Sequence, residues 1–143
     1  MQIEGSCHCG RISFTAQVDP SRVVVCHCSD CQVMSGSPFR AVVPAPMDTF
    51  ELRGEPKRYI KTAESGNKRV QAFCPDCGTP LFATAPANAT QVMIRTGCVK
   101  QRATLVPQAQ IWRRSALPWI EAVPALPGSP QQQALAAPPA APR

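Results

Sequence analysis

The sequence is poor in aromatic residues, with five Phe, two Trp and one Tyr in 143 positions, which excludes a large aromatic core. It has no run approaching the roughly 18 uncharged apolar residues that a membrane-spanning helix requires, so no membrane partner is expected. Met1-Gln2-Ile3-Glu4-Gly5 lacks the basic stretch and apolar run of a secretion signal, and the expected location is the cytoplasm. Acidic residues are missing between Cys77 and Ile120, where Arg95, Lys100, Arg102, Arg113 and Arg114 contribute to a net charge of +6. Such a potential favours anionic ligands, or simply a solvated basic surface. The interleaving of aromatic and basic residues used by single-strand nucleic-acid binders is also missing.

Hydrophobic residues make up 44% of the chain, enough for a modest core in one domain over 1–120. After Ile120 the composition turns to Pro, Ala and Gln, with only Glu121 and Arg143 charged, and 121–143 reads as a disordered or partly extended tail. Alternating stretches bounded by turn residues predict strands at Arg11–Val18, Phe39–Val43, Lys57–Thr62, Arg69–Phe73 and Gln91–Thr96. Glu64-Ser65-Gly66-Asn67 reads as a hairpin turn, and Ser29–Ser35 as the one short helix. The class expected is all-β, built from short antiparallel strands.

Eight cysteines fall into three tight groups, Cys7/Cys9, Cys26/Cys28/Cys31 and Cys74/Cys77, with Cys98 alone. In a reducing compartment clustered cysteines point to metal rather than to disulfides, which close longer loops to better effect. A C-x-C pair on a strand aims both sulfurs at one face, which would turn His8 and His27 away. Cys74-Pro-Asp-Cys77-Gly78 is instead a tight turn, with a glycine placed for left-handed backbone. Its two thiolates need two more for a tetrahedron, from Cys7/Cys9 or from the central group. Pairing with Cys7 and Cys9 would leave Cys26, Cys28 and Cys31 as three ligands with a vacant corner, the pattern of catalytic zinc. Cys98 or a histidine filling that corner would instead make a second structural site. Cys98 otherwise reads as a small buried residue, and Trp112 and Trp119 as core or edge packing.

Three segments resemble one family in order and in detail. They are Gly5-Ser6-Cys7-His8-Cys9-Gly10; Cys26-His27-Cys28-Ser29-Asp30-Cys31 with Ser35-Gly36-Ser37; and Phe73-Cys74-Pro75-Asp76-Cys77-Gly78-Thr79-Pro80-Leu81-Phe82. From about Ile3 to Trp119 the chain is similar to the glutathione-dependent formaldehyde-activating (GFA) enzymes and centromere protein V. The resemblance implies a β-tent fold, two zinc ions per chain, a structural one on Cys7, Cys9, Cys74 and Cys77, and a catalytic one on Cys26, Cys28 and Cys31. It implies carbon–sulfur lyase chemistry on an adduct of a glutathione-like thiol and an aldehyde such as formaldehyde. A zinc-bound thiol would be ionised near neutral pH. Arg40, Arg58, Arg69 or Arg95 could then pair with substrate carboxylates. His27 could act from behind the metal or be structural, and Ser35, Gly36 and Ser37 could offer donors beside it. A homodimer is compatible with this reading. The rival readings are a non-catalytic zinc-stabilised module contacting acidic protein or nucleic acid through a basic face, and a thiol redox protein using Cys26-x-Cys28.

Overall fold

Alternation of apolar and polar residues sets the first hairpin in the computed structural model, which describes residues 1–132. In β1 (Gln2–Ser6) Ile3 and Gly5 turn inward, and in β2 (Ser13–Gln17) Phe14 and Ala16 do. The antiparallel register places Ile3 opposite Ala16 and Gly5 opposite Phe14. The close approach of the Phe14 ring to Gly5 leaves no room for a side chain there. The other elements follow as β3 (Val24–Cys26), α1 (Ser29–Ser35), β4 (Arg40–Pro46), β5 (Glu51–Arg53), β6 (Lys57–Thr62), β7 (Lys68–Phe73), β8 (Pro80–Thr84), β9 (Gln91–Arg95) and β10 (Ala109–Ile111).

Two sheets result among the described residues, a three-stranded one ordered β1-β2-β5 and a seven-stranded one ordered β10-β3-β4-β9-β8-β7-β6. Ile3, Phe14 and Ala16 from the small sheet pack on Val43, Ala45, Phe82, Val92 and Ile94 from the large one. Phe50 joins the layers, its ring 5.5 Å from Phe14 and 5.0 Å from Phe82. The all-β tent of packed sheets is thus as expected. Nearly every pairing is antiparallel; β10 alone runs parallel to its neighbour β3. Pro44 and Pro46 extend β4 beyond the predicted Phe39–Val43. They are tolerated because β3 covers only residues 40–42, so beyond Val42 β4 bonds to β9 alone.

The predicted bounds of β6 and α1 match the structure, and Gly66 (φ +82°) makes the turn after β6. The three-residue strands β3, β5 and β10 carry too few alternations to be read from the sequence, β8 is buried almost throughout and shows none, and β1 alternates but is not among the predicted strands. Trp112 and Trp119 are not core residues, at 39% and 52% exposure. Within the predicted tail a 3-10 turn spans Ile120–Ala125, and 133–143 lies outside the described residues. No helix is long and apolar enough to cross a membrane among the described residues.

Candidate metal centres and the adjoining cavity

The tight turn after β1 and the one after β7 meet. Gly10 N–H donates to the Cys7 carbonyl (3.1 Å) and Gly78 N–H to that of Cys74 (2.9 Å). Gly78 takes the left-handed backbone its position predicts, φ +73°. A hydrogen bond from His8 N–H to Thr79 Oγ1 (3.0 Å) ties one turn to the other. The sulfurs of Cys7, Cys9, Cys74 and Cys77 all lie within 4.8 Å of one another. Cys7 and Cys9 Sγ are 3.5 Å apart, and Cys9 and Cys74 Sγ 3.7 Å. A zinc–sulfur bond of about 2.3 Å gives a tetrahedral edge of about 3.8 Å, so the donor set fits a four-thiolate metal site.

The second group gathers where β3 ends and α1 begins. Cys26 closes β3, Cys28 Sγ caps α1 by accepting from Cys31 N–H (3.3 Å), and Cys31 sits in the first helical turn. Their three sulfurs also lie within 4.8 Å of one another. All eight cysteines are free. Cys98 joins neither group: its Sγ donates to the Arg95 carbonyl (3.1 Å), and burial pushes its thiol up to about 11. The sequence expectation that the C-x-C pairs lie on strands needs correction. Cys7 and Cys9 occupy a turn, and Cys26 and Cys28 straddle a strand end, because each pair must bend toward one point rather than project from a flat sheet. His8 is exposed, whereas His27 is buried at 1% exposure, its Nε2 2.8 Å from Gln110 Oε1. His27 thus points neither to solvent nor into the three-sulfur group.

Thiols held this close cannot all ionise without a cation. Hydrogen bonding from Cys31 lowers the Cys26 thiol, while Cys26 and burial raise that of Cys31. Burial, then Cys31, raises Cys28. In the four-sulfur group the Thr79 hydroxyl and backbone pull Cys77 down to about 5. Cys9 goes up to about 12: the Arg11 backbone favours its thiolate, but Cys7, desolvation, Cys77 and Cys74 together outweigh it. Each group therefore contains sulfurs that a divalent cation would have to deprotonate, and each is shaped to hold one.

The large sheet decides what faces the three-sulfur group. Residues directly opposite in neighbouring strands share a face, as do i and i+2. Cys26 is opposite Arg40, Val42 opposite Arg95, Met93 opposite Ala83, Ala83 opposite Gln71, and Arg69 opposite Lys61. One face thus carries Cys26, Arg40, Arg95, Gln71, Arg69 and Lys61, and it lines a cavity of about 520 Å³ with Cys31 in its wall. Arg58 is opposite Ala72 and lies on the other face, so it is not part of this cavity. Arg40 and Arg95 are buried, at 6% and 9% exposure, and both donate to Gln71 Oε1 (3.2 and 2.7 Å). Burial, then the charge of Arg40, pulls Arg95 down to about 9. Lys61 is neutralised by Asp30 of α1.

Several residues do not reach the site as the sequence allowed. The Ser35 hydroxyl donates to the Cys31 carbonyl (2.6 Å), and Gly36 (φ +61°) ends α1, so both act on the helix that positions Cys31. Ser37, with Ser35, lines a second cavity of about 310 Å³, which shares the side chains of Arg40 and Arg95 with the first. The basic run after Cys77 does not form a free basic face. Lys100 pairs with Glu4, Arg113 with Glu121 and Arg114 with Glu64, and Arg95 is buried. Of the five, only Arg102 is exposed without a carboxylate partner among the described residues, its guanidinium on the Val99 carbonyl. Trp112, whose role the sequence missed, lines the cavity in left-handed backbone (φ 57°) beneath the Arg114 guanidinium, 5.0 Å from its ring.

Fold and cysteines together define an all-β protein with one four-sulfur and one three-sulfur metal-binding group. The chain matches the model of the glutathione-dependent formaldehyde-activating enzyme family over residues 2–115 and belongs to that family. It is 28% identical over 81 residues to an uncharacterised lyase of Schizosaccharomyces pombe, an alignment covering 57% of this chain and 56% of that protein. A crystal structure of a Rhodobacter sphaeroides protein shares the fold, with a TM-score of 0.58 at 16% identity over 75% of this chain and 98% of that one.

Proposed function

We propose that the protein is a zinc-dependent carbon–sulfur lyase of its family's type, acting on the adduct of a glutathione-like thiol and an aldehyde such as formaldehyde. Cys7, Cys9, Cys74 and Cys77 hold a structural zinc, and Cys26, Cys28 and Cys31 a catalytic one. The observation that carries this reading is a three-sulfur group with no fourth ligand among the described residues, two of whose sulfurs belong to a cavity wall. Zinc bound there would supply a corner at which a substrate thiol ionises near neutral pH.

The chain's own residues do the rest. Cys26, Cys28 and Cys31 would hold the zinc, Cys26 and Cys31 from the cavity wall, and α1 holds Cys28 and Cys31 in place through its cap and the Ser35 hydrogen bond. In the synthetic direction the thiolate sulfur attacks the aldehyde carbon, a C–S bond forms as the C=O π bond breaks onto oxygen, and that oxygen takes from water the proton equivalent to the one the thiol gave up. The buried guanidiniums of Arg40 and Arg95 offset the negative charge gathered on sulfur. Thiolate ligands require reduced cysteines, which fits the cytoplasm.

Acceleration of the equilibration of glutathione with formaldehyde, followed by NMR, tests the proposal. A folded Cys28→Ser variant is expected to keep one zinc and lose turnover. Full activity in that variant would remove the proposal.

A further inference from the structure

The three-sulfur group explains only part of the cavity. In its wall two guanidiniums are buried side by side, and the oxygen they share is a neutral amide, Gln71 Oε1. Among the described residues no carboxylate comes within ion-pairing distance of either; the ion pairs formed there involve other cations. Arg40 Nε is buried with no hydrogen-bond partner at all. A buried donor left unmatched costs free energy unless something outside the chain completes it. Like charges packed together repel, and here no acid from the fold relieves them.

The thiolates are the obvious counter-charge, so the charges have to be counted. Three thiolates carry −3 and Arg40 with Arg95 carry +2. Without metal the three thiols do not all ionise, so the full −3 is present only when a cation is bound. A divalent cation brings the sum to +1, and Arg69 on the same face, nearer solvent, brings it to +2. Lys61 and Asp30 cancel. The metal-loaded cavity therefore has room for two negative charges. A thiolate at the open corner supplies one.

We propose that Arg40 and Arg95, held on Gln71, form a carboxylate subsite, and that the substrate is a thiol bearing a carboxylate that docks there while its sulfur reaches the metal. This rests on reading Cys26, Cys28 and Cys31 as the metal group. Planar guanidiniums match a carboxylate's two oxygens, and both line the cavity with only a neutral amide oxygen between them. Arg69 takes up the remaining charge toward the mouth. Arg40, Arg95 and Gln71 thus set specificity, selecting anionic over neutral thiols.

The test uses zinc-loaded protein and three small probes in calorimetry: 3-mercaptopropionate, its neutral amide and propionate. A cobalt-loaded sample reports separately, by its sulfur-to-metal absorption, whether a thiol reaches the metal. The carboxylate thiol is expected to bind roughly tenfold or more tighter than the amide, the gain of charge-assisted hydrogen bonds in a buried site. Arg40→Gln is expected to weaken the carboxylate thiol far more than the amide and so to erase that preference; a preference unchanged in a folded Arg40→Gln variant would overturn the subsite. Equal affinities of the two thiols in the wild type, with both perturbing the cobalt spectrum, would overturn the subsite and leave the lyase reading standing. Arginine-dependent binding of propionate, with no thiol altering the spectrum, would support the subsite and remove the lyase reading. Should Arg40→Gln fail to fold, the wild-type comparison decides alone.

Discussion

Replacing Gly5 by alanine tests whether the two sheets meet as described and whether that meeting positions the first cysteine pair. A Cβ on Gly5 would lie 2.1 Å from Phe14 Cζ and 2.6 and 2.7 Å from the ring's Cε atoms. Carbon atoms sit comfortably at roughly 3.5–4.0 Å, so the ring or the strand must give by more than an ångström. The ring has nowhere to go: Phe14 is 2% exposed, and Phe50 lies 5.5 Å away with Phe82 behind it. Overpacking of this kind costs about 1–3 kcal/mol. If β1 moves instead, Cys7, two residues on, moves with it and the four-sulfur group loosens. With a urea slope of about 1–3 kcal/mol/M, the unfolding midpoint of metal-loaded protein should drop by roughly 1 M. Phe14→Leu frees space, so the double variant should be destabilised by less than the sum of the two. A Gly5→Ala midpoint matching the wild type would refute the packing argument.

Acid should strip the two metal groups in order. Cys77, whose thiol falls from 9.0 to about 5, contributes stability in full above the ordinary thiol pKa and loses it progressively as pH falls from there through about 5. The three-sulfur group would hold its cation with one thiolate fewer, so a chromophoric chelator should record two release steps as pH falls, with the three-sulfur group leading; a single step would contradict this. At position 112, glycine should be about 1 kcal/mol more stable than alanine in urea melts, because φ 57° strains any side chain; equality would remove the strain argument. Gln71→Glu would give Arg40 and Arg95 an internal carboxylate, so it should raise the unfolding midpoint while weakening 3-mercaptopropionate binding. Unchanged binding would speak against the subsite.

Spacing along the chain made the metal-binding groups legible, because a C-x-C pair and a tight C-x-x-C turn each constrain two sulfurs locally. The helix over Ser29–Ser35 and the strand over Lys57–Thr62 were legible for the same reason: their patterns are complete within the element. Short strands such as Val24–Cys26 were not. The choice among Arg40, Arg58, Arg69 and Arg95 was out of reach of the sequence, since it depends on register carried across six neighbouring strands. His27 was read as turned away from the sulfurs, and so it is; its partner Gln110 could not be read because β10 is paired over three residues only.

X-ray absorption on the purified protein, with metal content measured on the same sample, tests the central claim most directly. Two zinc ions per chain are expected, one with four sulfurs and one with three sulfurs and a lighter fourth atom. A single ion, or sulfur filling all four positions at both, would contradict the account.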